Sequence, residues 1–243
     1  MSLISLGHRI RLIKELGADI LVVLKFTKAL ADLPPEKFVK NILIKRFGMR
    51  EMYTSGNFYF GKGASAGVSA LKKMSEEFGF KLRVVKSRRS GGVVVSSTHI
   101  RRLIVEGAIA EASRFLGRPV SILGTVVSGS KLAKTLGYPT ANINPHHEAI
   151  PPAGVYAVRI KFAGSIYRGI LNIGARPTFF DKRARSEPVI EVHIFGFNKR
   201  IYGKDLEILF VKKIRSERKF KSLNALIAQI KNDERKAKSK GVF

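Results

Sequence analysis

The feature that most limits the fold is a change of texture at Gly117-Arg118-Pro119. Before it, helical and strand-like stretches alternate. After it, short β-rich segments follow one another with turn residues between them, over residues 120–127, 155–162, 165–173, 189–195 and 206–211. Alternating helices and strands build βαβ units around a parallel sheet, whereas closely spaced short strands build an antiparallel barrel or sandwich. The expectation is an α/β domain over 1–117 and an all-β domain over 118–243. In the first, residues 6–16 carry Leu6, Ile10, Ile13 and Leu16 at helical spacing and stop at Gly17. Residues 20–26 read as a strand buried on both faces. Pro34 and Pro35 open a helix over 38–47, 61–67 form a loop, 68–78 a helix and 81–85 a strand. Ser96 or Ser97 caps a helix running through Ile104. A last helix over 223–233 places Leu223, Leu226, Ile227 and Ile230 on one face, and the basic tail 235–240 frays.

Composition narrows the class. The chain is 45% hydrophobic and 26% charged, enough to bury a core and too apolar for a disordered chain. It has no cysteine, which removes disulfide frameworks, thiolate metal sites and cysteine nucleophiles. The longest apolar run, 20–24, is too short to span a bilayer, and no signal region opens the chain, so a soluble cytoplasmic protein is expected. The net charge of +27 attracts polyanions. The basic groups are scattered, with runs at 86–89, 182–185 and 235–240. They fit a solvated surface or a phosphate-handling enzyme better than a nucleic-acid stripe.

The informative stretch runs from Gly124 through Gly129-Ser130-Lys131 and Lys134 to Leu136-Gly137-Tyr138-Pro139-Thr140-Ala141-Asn142. Glycines let backbone amides approach phosphate oxygens, and Lys131 or Lys134 neutralises their charge. Thr140 and Asn142, two apart on an extended chain, share a face. A hydroxyl and an amide oxygen are hard donors suited to Mg²⁺, with nucleotide phosphates completing the shell. Taken generically, the same residues describe an ordinary structural turn.

The whole half-chain resembles the riboflavin kinase module of bacterial bifunctional FAD synthetases. The resemblance continues through Pro152-Ala153-Gly154-Val155-Tyr156, Asn172-Ile173-Gly174, Glu191-Val192-His193-Ile194-Phe195 and Ile214-Arg215-Ser216-Glu217-Arg218, covering about 119–235 in order. It implies a six-stranded, Greek-key-like antiparallel β-barrel that transfers the γ-phosphoryl of ATP to the ribityl 5′-hydroxyl of riboflavin. It assigns ATP or phosphate contacts to Gly124, Gly129, Ser130, Lys131, Lys134, Gly137, Pro139 and Thr140, and Mg²⁺ to Thr140 and Asn142. Glu191 takes the position of the catalytic base, and Arg215 and Glu217 the flavin-side loop. His193 reads as a packing or supporting neighbour. Three departures stand out: Ala133-Lys134 where Gly-Arg is common, Gly196 for aspartate, and Ser216 for proline.

Residues 1–117 resemble the later part of the adenylyltransferase (FAD synthetase) module, a Rossmann-like nucleotidyltransferase fold. The carriers are Leu16-Gly17-Ala18-Asp19, Phe26-Thr27-Lys28, Asn57-Phe58-Tyr59-Phe60-Gly61 and Ser96-Ser97-Thr98-His99. The opening strand and helix with the His-x-Gly-His pair are not in this sequence, and Gly7-His8 does not stand for them. Tyr59 and His99 replace arginines and Ser55 a glycine, removing bidentate phosphate ligands. The expectation is an incomplete domain with FAD synthesis lost, its exposed strand edge covered by a second copy or another partner. Met1 is then either internal to a longer or split frame or the start of a domain decayed to a scaffold. The alternatives are an active bifunctional enzyme, an inactive flavin-binding regulator, and a nucleic-acid binder. The last lacks the aromatic platform that single-strand binding requires.

Overall fold

The computed structural model describes residues 2–128, 138–174 and 188–243, which form two compact units: one of residues up to Asp19 together with Ser96–Phe243, the other of Ile20–Val95. The first helix, α1 (Leu6–Glu15), is capped by Ser5, whose Oγ accepts the His8 amide, and the chain turns out of it at Gly17 with φ 84°.

The smaller unit begins with residues 20–26, and here the expectation of a strand fails. The segment has no strand partner among the described residues, and its side chains are open to solvent, Ile20 at 83% and Phe26 at 81%. Every position but Lys25 is apolar, as in a strand covered on both faces. With neither a neighbouring strand nor a cover, the extended chain has no ladder to join. After α2 (Lys28–Ala31), α3 (Pro35–Lys37) starts at the predicted proline and continues over Phe38–Arg46 in wide π turns. One βαβ unit follows: β1 (Glu51–Ser55), a strand the sequence did not announce, then the expected α4 (Val68–Phe78) and β2 (Lys81–Val85), with β1 and β2 parallel. Val39, Phe60, Leu71, Met74 and Phe80 form the unit's core. A small hairpin, β3 (Arg89–Ser90) and β4 (Val93–Val94), turns on Gly91-Gly92, both at positive φ. No periodicity announces it.

The larger unit resumes with α5 (Ser97–Glu106), capped by Ser96 Oγ, and α6 (Ile109–Leu116). Six strands then close an antiparallel barrel: β5 (Ser121–Val127), β6 (Ala141–Asn144), β7 (Gly154–Phe162), β8 (Ser165–Gly174), β9 (Val189–Ile194) and β10 (Asp205–Ser216), in the order β10-β5-β6-β9-β8-β7. The helix α7 (Leu223–Lys238) extends beyond the predicted end, so residues 235–238 are helical rather than frayed. Their lysines and arginine favour the negative end of the helix dipole.

Alternation fills the barrel: Ile122, Tyr156, Val158, Ile160, Leu171, Ile173, Ile190, Val192, Leu206, Ile208 and Phe210 are buried. Gly124 sits within β5, where a Cβ would lie 2.4 Å from Ile143 Cγ2 and 2.6 Å from the Asn144 carbonyl oxygen. Gly124→Ala is therefore expected to destabilise the barrel by about 1–3 kcal/mol through overpacking. Thermal unfolding checks this, and an unchanged midpoint would contradict it.

One polar cluster ties α1 to the barrel. His8, Glu148 and Glu207 are all buried. His8 Nδ1 lies 2.9 Å from Glu148 Oε2, and its Nε2 faces Glu207 Oε1 at 3.6 Å. Glu148 also accepts the amides of Ser5 (2.9 Å) and Leu123 (3.0 Å), and Lys161 Nζ stands 3.4 Å from Glu207. Burial alone would lower the His8 pKa, but the hydrogen bonds and charges of the two glutamates outweigh it and raise it. Burial opposes both glutamates in the same way, yet the imidazole and Lys161 hold Glu207 down at about 2, and Glu148 is lowered too.

Candidate active site

Three strands assemble the site. In the β6–β9 ladder Asn142 pairs with Glu191, and in the β8–β9 ladder Glu191 pairs with Asn172. One carboxylate thus stands in a row between two amides across the barrel wall. The segment 139–142, which the sequence suggests is a turn, becomes β6 from Ala141 onward. Four residues are too few for a periodic signal.

Two cavities flank this row. The first, about 280 Å³, is lined by Tyr138, Thr140, Asn172, Glu191 and His193 on the strand side, and by Arg215, Glu217, Arg218 and Phe220 with α7 on the other. The second, about 490 Å³, is lined by Pro139, Thr140, Asn142, Phe197, Lys199, Arg200 and Tyr202, among others. Thr140 borders both. Glu191 borders only the first and Asn142 only the second.

Burial raises the Glu191 pKa above the ordinary carboxylate value, partly offset by a hydrogen bond from Asn142. A carboxylate only accepts, so the Asn142 NH₂ is the donor, and its Oδ1 is left to accept another donor or bind a cation. Thr140 Oγ1 and Asn142 Oδ1 are hard, neutral donors. Among the described residues no cluster of three His, Cys, Asp or Glu could cage an ion. This set fits a Mg²⁺ that brings most of its shell with it on phosphates and water.

A charged latch forms the far wall of the first cavity. Arg215 Nε donates to Asp233 Oδ2 (2.8 Å), Gln229 donates to the same carboxylate, and Arg218 donates to Gln229. The guanidiniums of Arg215 and Arg218 sit 5.6 Å and 4.9 Å from the Phe220 ring centre. Asp233 is buried, so α7 fixes the loop that carries Glu217. Register shifts in β10 beside Lys212 and Arg215 turn these side chains off the regular alternation.

The structure therefore brings Pro139, Thr140, Asn142, Glu191, Arg215 and Glu217 together around the two cavities. Gly124 lines neither and serves strand packing. Gly129, Ser130, Lys131, Lys134 and Gly137 lie outside the described residues. Sequence reasoning did not single out Lys199, Arg200, Tyr202, Phe220, Gln229 or Asp233. Lysines and arginines are too common in this chain for two of them to signal a site.

A closed six-stranded barrel with a half-buried, proton-avid carboxylate beside two hard oxygen donors is the equipment of a hydroxyl phosphotransferase. The comparisons agree: residues 116–240 match the riboflavin kinase family and residues 1–99 match FAD synthetase. The bifunctional riboflavin kinase/FMN adenylyltransferase of Buchnera aphidicola is 36% identical over 95% of this chain and 74% of its own length. That of Bacillus subtilis is 36% identical over 96% and 73%. A crystal structure of a Streptococcus pneumoniae protein described as a macrolide-efflux protein superposes with a TM-score of 0.79 at 30% identity, covering 98% of this chain and 75% of that one. No helix among the described residues is long and apolar enough to cross a membrane. The chain belongs to the riboflavin kinase/FAD synthetase family.

Proposed function

We propose that this chain phosphorylates riboflavin. The carrying observation is the placement of Thr140 at the seam of the two cavities, with Glu191 on one side and Asn142 on the other. Riboflavin occupies the first cavity, where Phe220, Tyr138 and the apolar face of α7 suit a flat ring and the polar strand side suits a ribityl chain. ATP occupies the second, with Lys199 and Arg200 toward phosphates and Tyr202 and Phe197 toward the base. The ribityl 5′-oxygen attacks the γ-phosphorus as the bond to the β,γ-bridging oxygen breaks. Glu191 takes the hydroxyl proton, FMN forms and ADP leaves. Thr140 and Asn142 would hold Mg²⁺, which neutralises charge on the phosphates. Arg215 and Glu217 contact the flavin side. A reducing, ATP-supplied cytoplasm suits this chemistry.

We place the module boundary near residue 118 and propose that adenylyl transfer is lost from the first module. Tyr59 is 65% exposed, Ser55 ends β1, and His99 packs edge-on to Phe115 at 4.7 Å instead of offering a charged fork. The opposite reading, a bifunctional enzyme, draws equal support from the match of residues 1–99 and from the bifunctional relatives. Purified protein incubated with riboflavin, ATP and Mg²⁺, followed by chromatography of the flavins, separates them. FMN alone is the expected result. FAD would restore adenylyl transfer, and no new flavin would refute the kinase.

A further inference from the structure

We infer that His193 is a positioning residue for phosphoryl transfer, acting as a side-chain rung that holds Thr140 at the seam between the two cavities. The inference rests on the riboflavin kinase reading and goes beyond it, since it gives a role to a residue that the reading leaves without one.

The β6–β9 ladder pairs Ile143 with Ile190, Asn142 with Glu191, and Ala141 with Val192. Continued by one step, the register would set Thr140 opposite His193. The ladder stops there instead, and Pro139, the residue beyond, has no N–H with which to resume it. The His193 imidazole supplies what the backbone does not: its Nδ1 lies 2.8 Å from the Pro139 carbonyl oxygen. A carbonyl only accepts, so Nδ1 carries the hydrogen. The bond grips the chain one residue before Thr140, while Asn142, two residues after it, is held in the ladder. Thr140 is thus fixed from both sides.

The ring is itself held. Tyr138 and Phe195 pack edge-on against it, with centroids at 5.6 Å and 5.8 Å. His193 and Glu191, two apart on β9, line the same cavity, while Pro139 lines the other. The hydrogen bond therefore crosses from the wall of one cavity to the wall of the next, at the strand that separates them. Misplacing a positioning group by about 1 Å costs on the order of 10²-fold in rate, so a single rung at this point is enough to matter.

Two substitutions in the full-length chain separate the N–H from the ring. His193→Phe keeps a flat ring between Tyr138 and Phe195 but has no donor. His193→Asn loses the ring but keeps an N–H at the same bond distance from the backbone as Nδ1. Steady-state FMN formation, riboflavin binding by flavin fluorescence, MgATP binding by calorimetry without riboflavin, and thermal unfolding are read for each. The expected result is that His193→Phe lowers kcat by about 10- to 100-fold. It also weakens MgATP while riboflavin affinity and the melting temperature hold, and His193→Asn recovers most of both losses. Full turnover in His193→Phe would reduce the residue to packing and overturn the proposal. So would equal losses in the two variants. If the wild-type protein forms no FMN, the kinase reading fails by itself. The calorimetric comparison then decides for His193, and equal MgATP affinity in wild type and His193→Phe refutes it.

Discussion

Replacing Glu191 with glutamine is expected to lower FMN formation by about 10²–10⁴-fold, the usual contribution of a general base. Glutamine has nearly the same shape and still hydrogen-bonds to Asn142, so the row of Asn142, residue 191 and Asn172 stays in register and the barrel keeps its core. What it loses is basicity. Burial makes the Glu191 carboxylate more proton-avid than an exposed one, which suits a group that must take a hydroxyl proton. Riboflavin fluorescence quenching and thermal unfolding should match the wild-type protein. Turnover near the wild-type rate would show that attack needs no base at this position and that positioning by Thr140, Asn142 and the nucleotide carries the reaction.

The second large effect concerns stability. Glu148→Gln is expected to cost the larger unit about 3–5 kcal/mol, the penalty for removing one partner of a buried ion pair. The amide removes the charge facing His8 and sets an NH₂ against one of three N–H donors, those of Ser5, Leu123 and the imidazole. At roughly 2–4 °C per kcal/mol for a unit of this size, the midpoint should fall by about 6–20 °C. Its pH dependence is two-sided. The His8 pKa is raised, so its contribution is complete below the ordinary value of 6.5 and is lost as pH rises through the folded value. The Glu207 pKa is lowered to about 2, so its contribution is complete above 4.5 and is lost as pH falls toward 2, and Glu148 acts in the same direction. The gap between wild type and Glu148→Gln should be widest between pH 4.5 and 6.5 and narrow on both sides. Circular dichroism melts across pH test this, and a gap independent of pH would refute the ionic account.

The limits of sequence reasoning fall at particular residues. Five of the six barrel strands have apolar alternation long enough to read, and the sixth does not. β6 is four residues long, begins after a proline and looks like a turn, yet it carries Asn142 into the site. Ile20 to Phe26 fail in the opposite direction. Their apolar pattern predicts a central strand, but a pattern states only what a segment would do with neighbours on both sides. His8 sits in a helix whose apolar stripe is legible, while its partners Glu148 and Glu207 lie 140 and 199 positions further along. No local signal links the three.

Local chemistry in the sequence was therefore sufficient for the two textures, a serine cap at Ser96 or Ser97, the glycine exit at Gly17, and the order of motifs that marks the riboflavin kinase family. These depend on neighbours within a few residues, or on residue types at fixed spacing. Tertiary structure alone decided that Asn142 and Asn172 flank Glu191, that Thr140 stands between two cavities, that His193 reaches the Pro139 carbonyl, and that α1 is pinned to the barrel. Strand register and buried ion pairs are long-range choices, made where closing the barrel satisfies the most hydrogen bonds and buries the most apolar surface.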